Sequence, residues 1–170
     1  FPPGANFGIS TIEPHDLGDG PRLFIGGRFW EIGGQARASL AAWDGVDLAS
    51  VGGGLVRGTD VTARAPTLPG EAEGVYAGGS FFIEQDRLLY HMGRWDGERW
   101  HPLVGPDGVP GLSSRDGIAT REMVEQIIRH DDGRGEAIFV AGAFSHAGDT
   151  PVGRIARWDG GQWSDLAGGV

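Results

Sequence analysis

Histidine followed by aspartate occurs twice, as His15-Asp16 and His130-Asp131. Such a pair has the chemistry to share a proton or to hold a metal ion. The two pairs fall at matching places of an internal repeat, while the remaining copy has Thr67-Leu68 there, so they read as polar turn residues in separate units. His91, His101 and His146 stand at no ligand spacing from one another. Acidic residues gather around Asp16 and Asp19 and at Asp131-Asp132, and calcium favours several carboxylates on one loop, yet neither stretch follows a recognised calcium-loop pattern. Asp44, Asp96 and Asp159 each lie between Trp and Gly. A carboxylate beside glycine in a tight turn bonds its own backbone while glycine takes the positive φ, so this recurrence points to turn geometry. No catalytic residue, metal ligand set or cofactor is assigned from these residues.

Composition removes further chemistries. Lys is absent and all 14 basic residues are Arg, so a phosphate-binding loop with its lysine is excluded. The nucleophile elbow Gly-x-Ser-x-Gly and the zinc motif His-Glu-x-x-His are both missing. With no Cys there is neither a disulfide nor a thiol nucleophile. A net charge of −9 argues against a nucleic-acid partner, which calls for a basic surface. No apolar run reaches the length of a membrane-spanning helix. The chain of 170 residues opens on Phe with no visible signal peptide, which suggests a processed form or an excised piece. The high Gly, Ala, Arg and Asp content, with Asn6 as the single Asn, suits a GC-rich bacterial source.

The elements that position these residues come in three ungapped copies, from Ile9 to Val51, Val61 to Leu103 and Val124 to Leu166. In each, an apolar run ends in a small pair and a Phe: Gly26-Gly27 before Phe29, Gly78-Gly79 before Phe81, Ala141-Gly142 before Phe144. Fourteen residues after each Phe stands Trp43, Trp95 or Trp158, and eight residues later an aliphatic, Val51, Leu103 or Leu166. Periods of 52 and 63 residues lie in the range of propeller blades and other arrays. Each copy reads as four short strands. The first runs from Phe7 to Glu13, with counterparts near Val61 to Ala65 and Met123 to Ile128; the second is the apolar run, buried on both faces. The third ends at Trp-Asp-Gly and the fourth leads to the aliphatic. A helix over Arg121 to Arg129 is the rival to a strand there, and the repeat register favours the strand. Trp95 with Trp100 and Trp158 with Trp163 are placed to meet across a hairpin, as are Trp43 and Leu48. Four antiparallel strands per repeat describe a blade of a β-propeller, so the expectation is an all-β chain, a single domain over 1–170 with blades at about 7–54, 55–105 and 117–170.

The glycine pair after the second strand, the aromatic-Asp turn and the Trp opening the fourth strand resemble kelch-type propeller repeats, in a bacterial variant with Trp-Asp-Gly at the turn. The pattern departs at Ala141, where a Gly is expected, and at Leu48, where the other copies have Trp. The resemblance implies fold far more than role, because propellers of this kind serve many functions. Propellers close with about four to eight blades and three are present, so the expectation is a segment of a longer propeller or a ring shared between chains.

Positions outside the repeat are free for recognition. The link Val104 to Met123 carries an excess of eleven residues over its counterpart between Val51 and Val61, and loops 30–37, 82–87 and 145–150 differ between copies. Loops on a rigid scaffold concentrate binding. The candidate binding face therefore comprises Trp30, Arg37, Phe82, Glu84, Arg87, Asp107, Arg115, Asp116, His146 and Asp149. The expected role is a non-catalytic protein-binding or scaffold module of a secreted, periplasmic or cell-surface bacterial protein, its partner another protein or further blades of the same chain. A carbohydrate-binding module using Trp30 and Phe82, or a glycan-active enzyme using charged loop groups, are the alternatives.

Overall fold

The structure, a computed structural model, describes residues 4–37, 39–53, 61–64, 67–81, 91–115 and 124–166. The chain is all-β, with no helix among the described residues. In the first repeat β1 (Ile9–Asp16) and β2 (Pro21–Gly27) lead into a small hairpin of β3 (Glu31–Ile32) and β4 (Gln35–Ala36), followed by β5 (Leu40–Trp43) and β6 (Leu48–Ser50). The second contains β7 (Val61–Arg64), β8 (Val75–Gly79), β9 (Met92–Trp95) and β10 (Trp100–Pro102), after which β11 (Leu112–Ser113) lies in the long link. In the third, β12 (Val124–Asp131) and β13 (Glu136–Gly142) precede a hairpin of β14 (His146–Ala147) and β15 (Thr150–Pro151), then β16 (Ile155–Trp158) and β17 (Trp163–Ser164). Each repeat forms one four-stranded sheet whose strands neighbour one another in chain order: β1-β2-β5-β6, β7-β8-β9-β10 and β12-β13-β16-β17. All the pairings are antiparallel.

The first strand runs from Ile9 and not from Phe7, although the Gly8 carbonyl still accepts the Arg28 N–H of the neighbouring strand's end at 2.9 Å. The contested segment is strand from Val124 onward; 121–123 lie outside the described residues. Local chemistry closes the turns. Asp16 Oδ1 accepts the N–H groups of Gly18 and Gly20 at 2.8 and 3.0 Å, and Asp131 Oδ1 those of Gly133 and Gly135 at 2.8 and 3.1 Å. At the next hairpin Asp44 accepts from Val46 and Asp47, Asp96 from Glu98 and Arg99, and Asp159 from Gly161 and Gln162. The glycine after each carboxylate has φ of 103°, 102° and 100° at Gly45, Gly97 and Gly160, where a side chain would be strained.

A further repeated device uses residues that are not glycine. Ser39, His91 and Arg154 hold φ of 62°, 61° and 69°. Their carbonyls accept the N–H of Gly27, Gly79 and Gly142 at 3.0, 2.9 and 3.0 Å, so each third strand enters its sheet through the same left-handed residue. Such conformations persist only where their surroundings enforce them.

The sheets pack in series. Phe24, Leu40, Ala42 and Val51 of the first meet Val75, Ala77, Phe81 and Trp100. On the other face of the second sheet Tyr76, Met92 and Leu103 meet Ile138, Val140, Ala156, Trp158 and Trp163. Every residue of β8 is consequently buried, as its unbroken apolar run predicts. The small pair has a packing reason: a Cβ on Gly78 would lie 2.6 Å from Val124 Cγ1, at the start of the next sheet's first strand. Leu17 and Leu68 reach over the following sheet's turn at Gly97 and Gly160. The indole pairs form across their hairpins, with ring centroids 5.5 Å apart for Trp95 and Trp100 and 5.0 Å for Trp158 and Trp163.

Candidate functional site

The long link and the third repeat's hairpin are one structure. β11 pairs with β14, and β14 with β15, to give a three-stranded loop sheet beside the main sheets. Four expected binding residues converge on it. Asp107 accepts the Val109 N–H at 2.9 Å with one carboxylate oxygen and the Asp149 N–H at 2.8 Å with the other. Gly148 makes that approach possible: with φ of 57°, its Cβ would sit 2.7 Å from Asp107 Oδ2. The N–H groups of Asp149 and Val109 hold the Asp107 carboxyl below the ordinary carboxylate range, so it is an anion at neutral pH. Arg115 pairs with the Asp149 carboxylate at 2.7 Å, and its N–H donates to Ser145 Oγ at 2.9 Å. Ser145 Oγ also lies 3.1 Å from His146 Nδ1. The side chains of Arg115 and Asp149 are 46% and 58% exposed, so the pair adds little to stability and presents charge to solvent.

Trp30 and Arg37 bracket the first repeat's hairpin. This is the same hairpin as in the third repeat: Arg37 N–H donates to the Trp30 carbonyl at 3.0 Å as Val152 N–H does to Ser145 at 2.9 Å. Two loops that diverge in sequence thus share one backbone path. Trp30 is 59% exposed and packs at a tilt of 42° against Phe7, itself 53% exposed, with centroids 4.5 Å apart. Asn6 fixes the base of this aromatic pair by accepting the Trp30 and Glu31 N–H groups at 3.2 Å each. Arg37 has a different part to play. Its guanidinium donates to Gln35, to the Ala36 carbonyl and to the Leu48 carbonyl, tying the hairpin to the fourth strand. Phe82, Glu84, Arg87 and Asp116 lie outside the described residues.

His15 and His130 part company. His15 Nε2 faces Glu73 at 3.5 Å, whereas His130 packs on the Phe139 ring, and among the described residues no group of three acidic or histidine side chains is placed to hold a metal ion.

A polar groove of about 220 Å³ between the second and third sheets has no counterpart in the expected site. Glu71, Tyr76, Arg94 and His101 line it, beside Trp158. The Tyr76 hydroxyl donates to the Glu71 carboxylate, which also accepts the Leu68 N–H at 3.1 Å. Burial and the neighbouring Glu71 push the Tyr76 phenol far up, so it stays a donor. Arg94 donates to the Ala72 carbonyl at 2.9 Å, and His101 bonds the Asp96 carboxylate. Each of these four side chains already has a partner. The members of the groove come from segments too far apart in sequence to have been grouped.

No family model matches the chain, and neither a curated protein nor a solved structure is found to be similar to it.

Proposed function

We propose that the chain is a three-bladed stretch of a kelch-like β-propeller and works as a non-catalytic protein-binding or scaffold module of a secreted or surface-associated bacterial protein. One observation carries this reading. The three sheets reproduce one another down to single hydrogen bonds, while the exposed aromatic pair and the exposed ion pair both lie outside the main sheets. Aromatic and Arg anchors dominate protein interfaces, and Trp30, Phe7 and Arg115 supply both. The test is retention of protein from the host's secreted fraction on immobilised chain. Trp30→Ala and Arg115→Ala should each weaken capture of a retained partner by about 1–3 kcal/mol, roughly fivefold to 150-fold. Capture by both variants equal to that by the wild type contradicts the reading.

The exposed, tilted pair of Trp30 and Phe7 also favours a second reading, a carbohydrate-binding module with the indole as platform. A glycan array separates the two: strong glycan signal lost in Trp30→Ala supports the second, and turnover of a bound glycan would replace both by an enzyme.

A further inference from the structure

The repeat gives way beside the polar groove between the second and third sheets. β1 and β2 pair as far as Asp16 and Pro21, and β12 and β13 as far as Asp131 and Glu136, each closing on an Asp-x-Gly-x-Gly turn. β7 and β8 pair only as far as Arg64 and Tyr76, and Leu68-Pro69-Gly70-Glu71-Ala72 stands in place of that turn. In the first repeat the positions of Glu71, Tyr76, Arg94 and His101 hold Asp19, Phe24, Ala42 and Ala49, and Phe24 and Ala42 belong to an apolar junction. Sheet packing therefore does not call for polar groups there. Each of them keeps an unused polar atom. The Tyr76 O–H and the Leu68 N–H both go to Glu71 Oε2, while Oε1 faces Gly160, whose Cβ would lie 3.9 Å from it. Arg94 crosses Gly74 and uses Nη1 on the Ala72 carbonyl, which leaves Nε and Nη2. His101 Nε2 bonds the Asp96 carboxylate, so a neutral imidazole donates there and keeps Nδ1 as an acceptor. Trp158 Nε1 is turned towards the Tyr76 oxygen without bonding it, a fully buried donor with no partner. Such a donor in a native fold calls for an explanation.

We propose that this groove binds a small zwitterion of the free α-amino-acid kind. Its carboxylate accepts from Arg94 and the Trp158 N–H, and its ammonium donates to Glu71 Oε1 and His101 Nδ1. Charge selects this class. Among the described residues no ion pair joins Glu71 to Arg94, so a fixed anion and a fixed cation share the groove unpaired with each other. A ligand carrying both signs satisfies each, whereas a simple anion meets Glu71 and a simple cation meets Arg94. A sugar ring needs an aromatic face for its C–H groups, but the Trp158 ring is 4% exposed and packed on Trp163. The volume of about 220 Å³ accommodates a small amino acid. This inference concerns a junction between two sheets and does not rest on what the loops bind.

Thermal unfolding of the whole chain with each common α-amino acid at about 10 mM tests it, because a ligand of the folded state raises the melting transition. At least one small amino acid should raise it. The methyl ester and the N-acetyl derivative of that amino acid lack the carboxylate charge and the ammonium, and each should bind at least about tenfold more weakly in titration calorimetry. Glu71→Gln keeps an amide oxygen for Tyr76 and Leu68, and Arg94→Gln removes a guanidinium that is only half-buried, so both variants should keep the wild-type circular dichroism. Each should lose binding by the same margin. The derivatives are titrated into the wild type, so they decide the matter even where a variant misfolds. Trp30→Ala should bind the amino acid like the wild type, which keeps a failure of loop binding distinct from a failure of the groove. No shift with any amino acid overturns the proposal. So does a blocked derivative that binds as tightly as its parent, or unchanged binding in either folded variant.

Discussion

Asp44, Asp96 and Asp159 each take two backbone N–H groups from the turn they open, and removing such a carboxylate leaves those donors without their partner. Asp96→Ala should therefore lower stability by about 1–2 kcal/mol, measured by urea denaturation. Asp96 also carries a pH signature. Burial opposes its charge, but the Arg99 N–H, the His101 imidazole and the Glu98 N–H outweigh that and hold its carboxyl well below the ordinary 3.8. A depressed folded-state value gives stability that is present above 3.8 and lost as pH falls below it. The melting temperature of Asp96→Asn should accordingly lie below wild type at about pH 6, with the gap narrowing towards about pH 2; a constant gap contradicts the assignment. These turn residues were legible in the sequence because Asp-Gly has one strong local preference. The left-handed Ser39, His91 and Arg154 were not, since none of those residue types announces a positive φ.

Within the sheets, the four strands of each copy and the pairings across the last hairpin are legible in the sequence, because apolar runs, small pairs and indoles recur without a gap. What it concealed was the difference between inner and outer sheets. Trp43, Trp95 and Trp158 are the same letter in the same place, yet Trp158 is 4% exposed and Trp43 41%. Trp158→Ala should cost roughly 3–5 kcal/mol through the cavity it leaves, and Trp43→Ala less than about 1 kcal/mol in the isolated chain. Equal losses would mean that the two indoles have like surroundings. Gly78→Val forces a branched side chain into Val124 and should cost about 1–3 kcal/mol in the same assay, with wild-type stability as the contradicting result. The loop sheet escaped sequence reading for another reason: two-residue strands such as β11 and β14 show no periodicity, and their pairing joins segments more than thirty residues apart.

For the molecule as a whole, the same division separates stability from recognition. Asp107, Arg115, His146 and Asp149 stand out in the sequence because they escape the repeat pattern, and the structure gathers them around one loop sheet. Arg37 stands out on the same ground and instead ties a hairpin down, a role visible only once its acceptors are placed. All of this depends on three equivalent sheets. Hydrogen exchange at single-residue resolution tests that equivalence most directly, through the amides of Gly27, Gly79 and Gly142, which donate to Ser39, His91 and Arg154 at 3.0, 2.9 and 3.0 Å. The account predicts strong protection at all three, well above that of exposed loop amides. Protection at one or two of them, with the rest exchanging as fast as the loops, would contradict it.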